Sequence, residues 1–377
     1  MESVRLSVSA TLGSARVGTL STPHGVVRLP QFMPVGTRGV VKTLMPTEVA
    51  QLGAEMVLAN TYHLMLRPGA DRIARLGGIH GFAGWEVPVL TDSGGYQVFS
   101  LSPSFDDDGV VFRSVYDGSI TRLTPEAAVR VQELIGSDVQ MVLDVCPALP
   151  ASREVVERAT VLTIEWARRS RKVHSRSDQA IFGIVQGGTD MELRERCAGA
   201  LVELDFDGYA IGGLSVGEKS TETLEVVRTV AEMLPAERPR YLMGVGDPVT
   251  LVEAVAAGID LFDCVLPTRL GRHGTALTWR GRVNLRRAEH ATSDAPIEEG
   301  CSCPACRSHG RALIRHLFSV GETLGPRLVT VHNLFWMFRL MDRIREAIQN
   351  GSLDELREQV ITSWAGGHGS GCAGSAR

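Results

Sequence analysis

Four polar side chains close short apolar runs in this sequence. Asp92 ends Val87-Pro-Val-Leu-Thr-Asp92, Asp144 ends Val139-Gln-Met-Val-Leu-Asp144, and Gln186 ends Ile181-Phe-Gly-Ile-Val-Gln186. Asp263 ends Asp260-Leu-Phe-Asp263 and leads into a proline turn, Cys264-Val-Leu-Pro-Thr-Arg269. Two carboxylates flanking a glycosidic bond can serve as nucleophile and general acid/base. A third carboxylate and an amide offer in-plane donors and acceptors that suit the edge of a purine. Gly212-Gly213 and Met243-Gly244 end two further runs, where a missing side chain lets a flat ligand approach the backbone. A single aspartate at a strand end is ordinarily a cap. Three that share one rim are harder to read that way.

Cys301-Ser-Cys303-Pro-Ala-Cys306 crowds three thiols together, while Cys146, Cys197, Cys264 and Cys372 are scattered. In a chain with no export signal, that pattern reads as a metal site rather than disulfides. A closed tetrahedral zinc site needs a fourth ligand and is structural rather than catalytic. His309, His316, His332 and His368 lie downstream. His332 stands at the start of a helical pattern, and His316 remains an alternative.

Between Thr268 and Ala288 the chain carries six arginines and His273, with no acidic residue. Net charge is −4, so any polyanion-binding surface is local. A second basic stretch, Trp166 to Arg176, follows a helical pattern and reads as an exposed face.

These residues need elements to position them. Eight apolar runs, at 32–36, 55–60, 87–92, 139–144, 181–186, 208–212, 240–244 and 260–263, alternate with amphipathic helical stretches. Strands that read as continuous apolar runs are buried on both faces, as in a parallel sheet covered by helices. Even spacing of eight units favours a (β/α)8 TIM barrel over an open doubly wound sheet, and places the four polar ends on its C-terminal rim. The expected organisation is an N-terminal antiparallel sheet (1–30), the barrel (31–288), a zinc-binding subdomain with C-terminal helices (289–365) and a disordered Gly/Ser-rich tail (366–377). Residues 100–134 read as an insertion over the barrel, with a hairpin about Asp117-Gly118. No apolar run approaches the roughly 20 residues that span a bilayer, and the N-terminus lacks signal-peptide character, so the expectation is a cytoplasmic protein without a membrane partner. Gly244-Val-Gly246-Asp-Pro lacks the third glycine of a dinucleotide loop.

The chain resembles the bacterial tRNA-guanine transglycosylases. The matching motifs are Phe32-Met-Pro-Val-Gly-Thr, Asn60-Thr-Tyr-His-Leu-Met-Leu-Arg-Pro-Gly69, Leu90-Thr-Asp-Ser-Gly-Gly-Tyr-Gln-Val98 and Ile211-Gly-Gly-Leu-Ser-Val-Gly-Glu218. Tyr241-Leu-Met-Gly-Val-Gly246, Leu261-Phe-Asp-Cys-Val-Leu-Pro-Thr-Arg269, the cysteine cluster and His332-Asn-Leu334 complete them. The resemblance implies a homodimeric transferase that exchanges guanine at the wobble position of GUN-anticodon tRNAs for preQ1, a 7-aminomethyl-7-deazaguanine, in queuosine biosynthesis. It implies Asp263 as the nucleophile on ribose C1′ and Asp92 as the general acid/base. Asp144, Gln186, Gly213, Leu214 and Cys146 would form the base pocket, with Tyr96 and Met243 sandwiching the purine. Thr268, Arg269 and Arg272 would contact the anticodon loop. Structural zinc would fall on Cys301, Cys303, Cys306 and His332.

One departure stands out. Many bacterial members read Asp-Glu-Cys where this chain has Asp144-Val145-Cys146, which puts the incoming base in question; queuine is the alternative to preQ1. Cys146 and Val216 nonetheless look like the preQ1-accepting pattern. Two other readings compete: a non-catalytic tRNA-binding partner subunit, against which both Asp92 and Asp263 speak, and a metal-dependent hydrolase, against which the position of the cysteines speaks.

Overall fold

Each apolar run in the sequence is a strand of one closed parallel barrel. The structure, a computed structural model, describes residues 4–99, 104–214 and 220–364. The tail at 366–377 and Val216 lie outside them. Strands β1 (Arg5–Leu12), β2 (Ala15–Thr22) and β3 (Gly25–Leu29) form an antiparallel sheet ahead of the barrel. The first barrel strands are β4 (Gln31–Gly36), β5 (Val57–Ala59) and β6 (Val89–Thr91). An insertion follows, β7 (Ser104–Asp106), β8 (Gly109–Arg113) and β9 (Ile120–Leu123), paired antiparallel with the expected turn between β8 and β9. The barrel resumes with β10 (Val139–Met141), β11 (Ala180–Val185), β12 (Gly208–Ile211), β13 (Arg240–Leu242) and β14 (Leu261–Cys264). It closes where Leu261 to Cys264 run parallel to Gln31 to Pro34.

The strand sequences explain the closure. Every residue of β10, β11, β12, β13 and β14 is buried, so an edge left open would leave apolar side chains and backbone groups without cover. The helices between strands begin where chain chemistry starts them. Thr124 caps the helix Pro125–Ile135 by accepting from Ala127 N, Asp190 caps Met191–Glu203 and Asp247 caps Pro248–Ala256. Pro46 opens the helix Pro46–Gln51.

The bottom of the barrel is pinned by ion pairs. Arg16 of β2 grips Asp260 with two hydrogen bonds, Nε to Oδ1 at 2.8 Å and a terminal nitrogen to Oδ2 at 2.6 Å. Arg240 N adds a third at 2.7 Å. Asp260 directly precedes β14, so this buried bidentate pair fixes the root of the strand whose tip carries Asp263. At the root of β10, Asp138 accepts from Val89 N at 2.8 Å and meets His24 and His80 at 2.9 and 3.3 Å. Burial alone would raise the Asp138 carboxyl, but these three partners outweigh it and hold its pKa at about 2.

After β14 come a short helix, Leu266–Arg272, and a hairpin of β15 (Thr275–Thr278) and β16 (Gly281–Asn284). The long helix Leu324–Asn350 lies against both. A Cβ on Gly271 would stand 2.7 Å from Thr330 N, so only glycine lets the two helices come this close. Asn333 then stitches the region together: it donates to Pro267 O and Thr275 O at 2.9 and 3.0 Å and accepts from Leu277 N at 2.9 Å.

The insertion rests on a satellite core of Tyr62, Val98, Val110, Phe112, Leu123, Val145 and Trp166. The basic stretch beginning at Trp166 closes the helix Arg153–Val173 and the turn after it, and three of its arginines are ion-paired. Arg168 meets Glu165 at 2.5 Å, Arg169 meets Glu126 at 2.7 Å, and Arg176 meets Asp178 at 2.7 Å.

Candidate active site

Asp92, Asp144, Gln186 and Asp263 all emerge at the C-terminal ends of β6, β10, β11 and β14, on one rim. All four are buried. Stripping water from a carboxylate is costly, so each must find donors in the protein.

Asp263 finds two, and both go to the same oxygen. Oδ1 accepts from the Tyr241 hydroxyl at 2.5 Å and from Gly244 N at 2.7 Å. Oδ2 accepts no bond among the described residues. Tyr241 reaches it because Tyr241 pairs with Leu261, two residues before Asp263 on the same strand face. Burial, then the adjoining Asp263 charge, keep the Tyr241 hydroxyl protonated, so it is fixed as a donor. Burial raises Asp263 above the ordinary carboxylate value, and the two donors partly offset that.

Asp92 is held at both oxygens. Oδ1 accepts from Thr61 N at 2.8 Å, and Oδ2 accepts a short bond from Asn60 Nδ2. Burial raises its pKa to about 6 against the pull of Asn60, Thr61 and Gln97, and the charge of Asp263 adds to the rise. The two aspartates thus differ in environment: one carboxyl is held through a single oxygen, and the other is held through both, with its pKa raised by burial to about 6.

Asp144 and Gln186 form a joined pair. Gln186 Nε2 donates to Asp144 Oδ2 at 2.7 Å, and Ser93 Oγ to Asp144 Oδ1 at 3.2 Å. Burial raises the Asp144 carboxyl. Gln186 Oε1 is buried and has no donor among the described residues. The Gly212-Gly213 turn fits around this amide. A Cβ on Gly213, whose φ is +66°, would lie 2.2 Å from Gln186 Oε1, and one on Gly212 would lie 2.9 Å from Nε2. Any side chain there would displace the amide.

The other expected pocket residues lie close in sequence to Ser93, Asp144, Gly213 and Gly244. Leu214 is buried, Cys146 and Met243 are half-buried, and Tyr96, on the helix Gly95–Phe99, is exposed at 50%. Val145 points into the satellite core under the insertion, at 1% exposure, and its N–H donates to Thr163 Oγ1 at 3.0 Å. On the helix Leu266–Arg272, Arg269 and Arg272 are half-buried with no carboxylate partner among the described residues. Thr268 is turned inward, and its hydroxyl donates to Val265 O at 3.1 Å.

Behind that helix, Cys301, Cys303, Cys306 and His332 bring their ligand atoms within 4.8 Å of one another. His332 Nδ1 lies 3.7, 3.5 and 3.3 Å from the three sulfurs. A tetrahedral zinc ion with ordinary bond lengths separates nitrogen and sulfur ligands by about 3.5 Å. His332 Nε2 donates to Leu277 O at 2.8 Å, which directs Nδ1 at the thiols. The set therefore fits one tetrahedral ion, and His316 is not part of it. His24, His80 and Asp138 also converge, but the two rings stack 3.6 Å apart and 12° from parallel, so their planes do not meet at a shared ion.

A family pattern described as queuine tRNA-ribosyltransferase matches residues 11–366. The chain belongs to that family. It is therefore an enzyme, a pentosyltransferase. A queuine tRNA-ribosyltransferase of Pelotomaculum thermopropionicum is 53% identical over 93% of this chain and 96% of its own length. One from Thermus thermophilus is 48% identical over 98% of this chain and 100% of its own length, and one from Cereibacter sphaeroides is 51% identical over 92% and 93%.

Four residues that position the site carry no role in the sequence reading: Tyr241, Asn60, Ser93 and Asn333. All four lie inside the motifs that carry the resemblance, but each acts across strands or helices.

The raised pKa of Asp92 carries a stability consequence. The folded state favours its protonated form, so that stabilisation is complete below the ordinary carboxylate pKa and is lost as pH rises through about 6. Asp92→Asn removes the charge; its amide oxygen can still accept from Thr61 N, while its Nδ2 meets the Asn60 amide donor at a cost that does not depend on pH. Relative to wild type, the variant is expected to gain about 3 kcal/mol of stability between pH 4 and pH 7.5, as read from melting curves at the two values. A stability difference from wild type that is the same at both values would contradict the assignment.

Proposed function

We propose that this enzyme replaces guanine at the wobble position of GUN-anticodon tRNAs (Asp, Asn, His and Tyr) with preQ1, through a covalent ribosyl ester on Asp263. The observation that carries the reading is the contrast between the two carboxylates: Asp263 is held through Oδ1 alone, with no donor to Oδ2 among the described residues, while burial raises Asp92 to about 6.

The anticodon loop is single-stranded, so its bases can be splayed into a pocket at little cost in pairing. Asp263 Oδ2 attacks C1′ of the ribose. The C1′–N9 bond breaks, its electron pair goes to guanine, and Asp92 donates the proton that neutralises the leaving base. Guanine departs and preQ1 enters. Asp92, now a carboxylate, takes the N9 proton of the new base, N9 attacks C1′, and the ester on Asp263 breaks. Each step returns the charge and proton it borrowed, so no external energy source is needed.

Asp144 and Gln186 read the base edge in this scheme. Asp144 accepts from base N–H groups, and Gln186 Oε1, buried without a donor among the described residues, accepts another. Tyr96 and Met243 cover the two faces of the ring, with Cys146 and the Gly213-Leu214 backbone at its edge. Val145 lies in the satellite core rather than among these groups, so preQ1 remains the favoured incoming base. Arg269 and Arg272 hold loop phosphates and set register, with Thr268 bracing their helix.

Zinc on Cys301, Cys303, Cys306 and His332 would supply a rigid tie rather than chemistry. The site lies behind Leu266–Arg272, and all four of its ligands come from protein. His332 and Asn333 are neighbours, so the tie would fix the long helix against the arginine-bearing one.

Two outcomes test this. Wild type is expected to incorporate labelled guanine into tRNA bearing guanine at the wobble position, and to accept preQ1 at lower concentration than queuine. Asp263→Asn is expected to lose incorporation by about a thousandfold or more while still binding tRNA. Incorporation by the variant at the wild-type rate would remove Asp263 from the mechanism. For the metal, elemental analysis is expected to give one zinc per chain, and Cys303→Ser to lower the melting temperature. Where that variant is still folded, its turnover should stay within a few-fold of wild type. A folded, zinc-free protein that still binds tRNA but has no turnover would make the metal catalytic.

A further inference from the structure

The rim carries a second group of cations, on the connections that follow β4 and β5. Arg38 lies two residues beyond the end of β4, and Arg67 caps the C-terminus of the helix Thr61–Leu66. Both are exposed. Their guanidinium carbons lie 5.7 and 4.8 Å from the centroid of the Tyr116 ring, which the insertion brings over from between β8 and β9. His63 Nδ1 meets the Tyr116 hydroxyl at 3.0 Å and fixes the ring from its polar end.

Neither arginine has a carboxylate partner among the described residues. Elsewhere on the insertion Arg122 is matched by Asp106 at 2.7 Å, so an unpaired arginine is not the local habit. The acid next to Tyr116 in the chain, Asp117, is engaged by its own turn, accepting from Ser119 N at 3.1 Å and Ser119 Oγ at 2.8 Å. Lys42, also exposed, follows on the same connection as Arg38. Two like charges held against one neutral ring repel each other until an anion joins them. The ring also orders both side chains in advance, which lowers the entropic cost of forming bidentate contacts.

The location names the ligand. The helix Thr61–Leu66 begins at Thr61, whose N–H binds Asp92, and ends at Arg67. Six residues of helix span about 9 Å, so the pair sits within reach of the nucleotides flanking the one in the site.

We infer that Arg38, Arg67 and Tyr116 form a second clamp for the substrate's RNA backbone, on the connections after β4 and β5, so that the loop is held at a place separate from Arg269 and Arg272. This rests on the proposed tRNA substrate.

The test is the salt dependence of tRNA binding to the full-length chain, with base exchange measured in parallel. For Arg38→Ala/Arg67→Ala, the slope of log affinity against log salt should fall by about 0.7 for each phosphate that the clamp neutralises in wild type. Affinity at 0.1 M salt should drop about tenfold or more, with the loss of kcat/KM mainly in KM. Arg38→Lys/Arg67→Lys keeps the charge and should restore most of the slope. A double alanine variant that melts lower but keeps the wild-type slope would overturn the clamp, leaving the cluster as packing that seats the insertion. Wild type that exchanges guanine while the variant keeps its slope sinks only this inference. Wild type that neither binds tRNA nor exchanges guanine sinks the proposed function with it.

Discussion

The site depends on keeping three carboxylates out of water at one end of a barrel. Each buried carboxylate forfeits hydration worth several kcal/mol in effective terms, and their charges oppose one another. Replacement donors make this tolerable: Tyr241 and Gly244 for Asp263, Asn60 and Thr61 for Asp92, Gln186 and Ser93 for Asp144. What the donors do not offset appears as raised proton affinity. Asp92 rises to about 6, because burial and the neighbouring Asp263 charge act in the same direction. The property that costs stability is the one that acid/base chemistry at neutral pH requires.

The rest of the fold holds those donors still. A parallel strand presents its C-terminal tip only as firmly as its root is anchored. The Arg16–Asp260 pair secures β14 and the Asp138 cluster secures β10, both at the opposite end from the chemistry. On the side of the arginine helix, Gly271, Asn333 and the cysteine–histidine group press Leu266–Arg272 against the long helix. The antiparallel sheet thus supplies one anchor of a strand root, Arg16, and the C-terminal region holds the arginine helix in place.

Much of this was legible in the chain itself. Eight runs without polar alternation became eight barrel strands, because strands covered on both faces leave that signature. The rim followed from it, since the last residue of each run lies at the same end. The cysteine cluster was legible because three thiols so close in sequence have few other uses. The residues that tune the site were not. Tyr241 reaches Asp263 from the neighbouring strand, Asn60 reaches Asp92 from the end of β5, and the placement of His332 beside three cysteines needs the long helix to pack first. Some pairing partners were equally hidden: Arg169 and Glu126 lie on different helices, so nothing local marked that arginine as neutralised. Contacts between distant segments are set by packing, and sequence spacing does not reveal them.

The central claim is that, of three buried carboxylates on one rim, Asp263 alone takes the sugar. The most direct test is to incubate the enzyme with tRNA in the absence of free base, denature it, digest both polymers and locate the ribosyl adduct by mass spectrometry. The adduct is expected on the peptide containing Asp263. An adduct on Asp92 or Asp144, or no adduct in a preparation that is exchanging base, would contradict that claim.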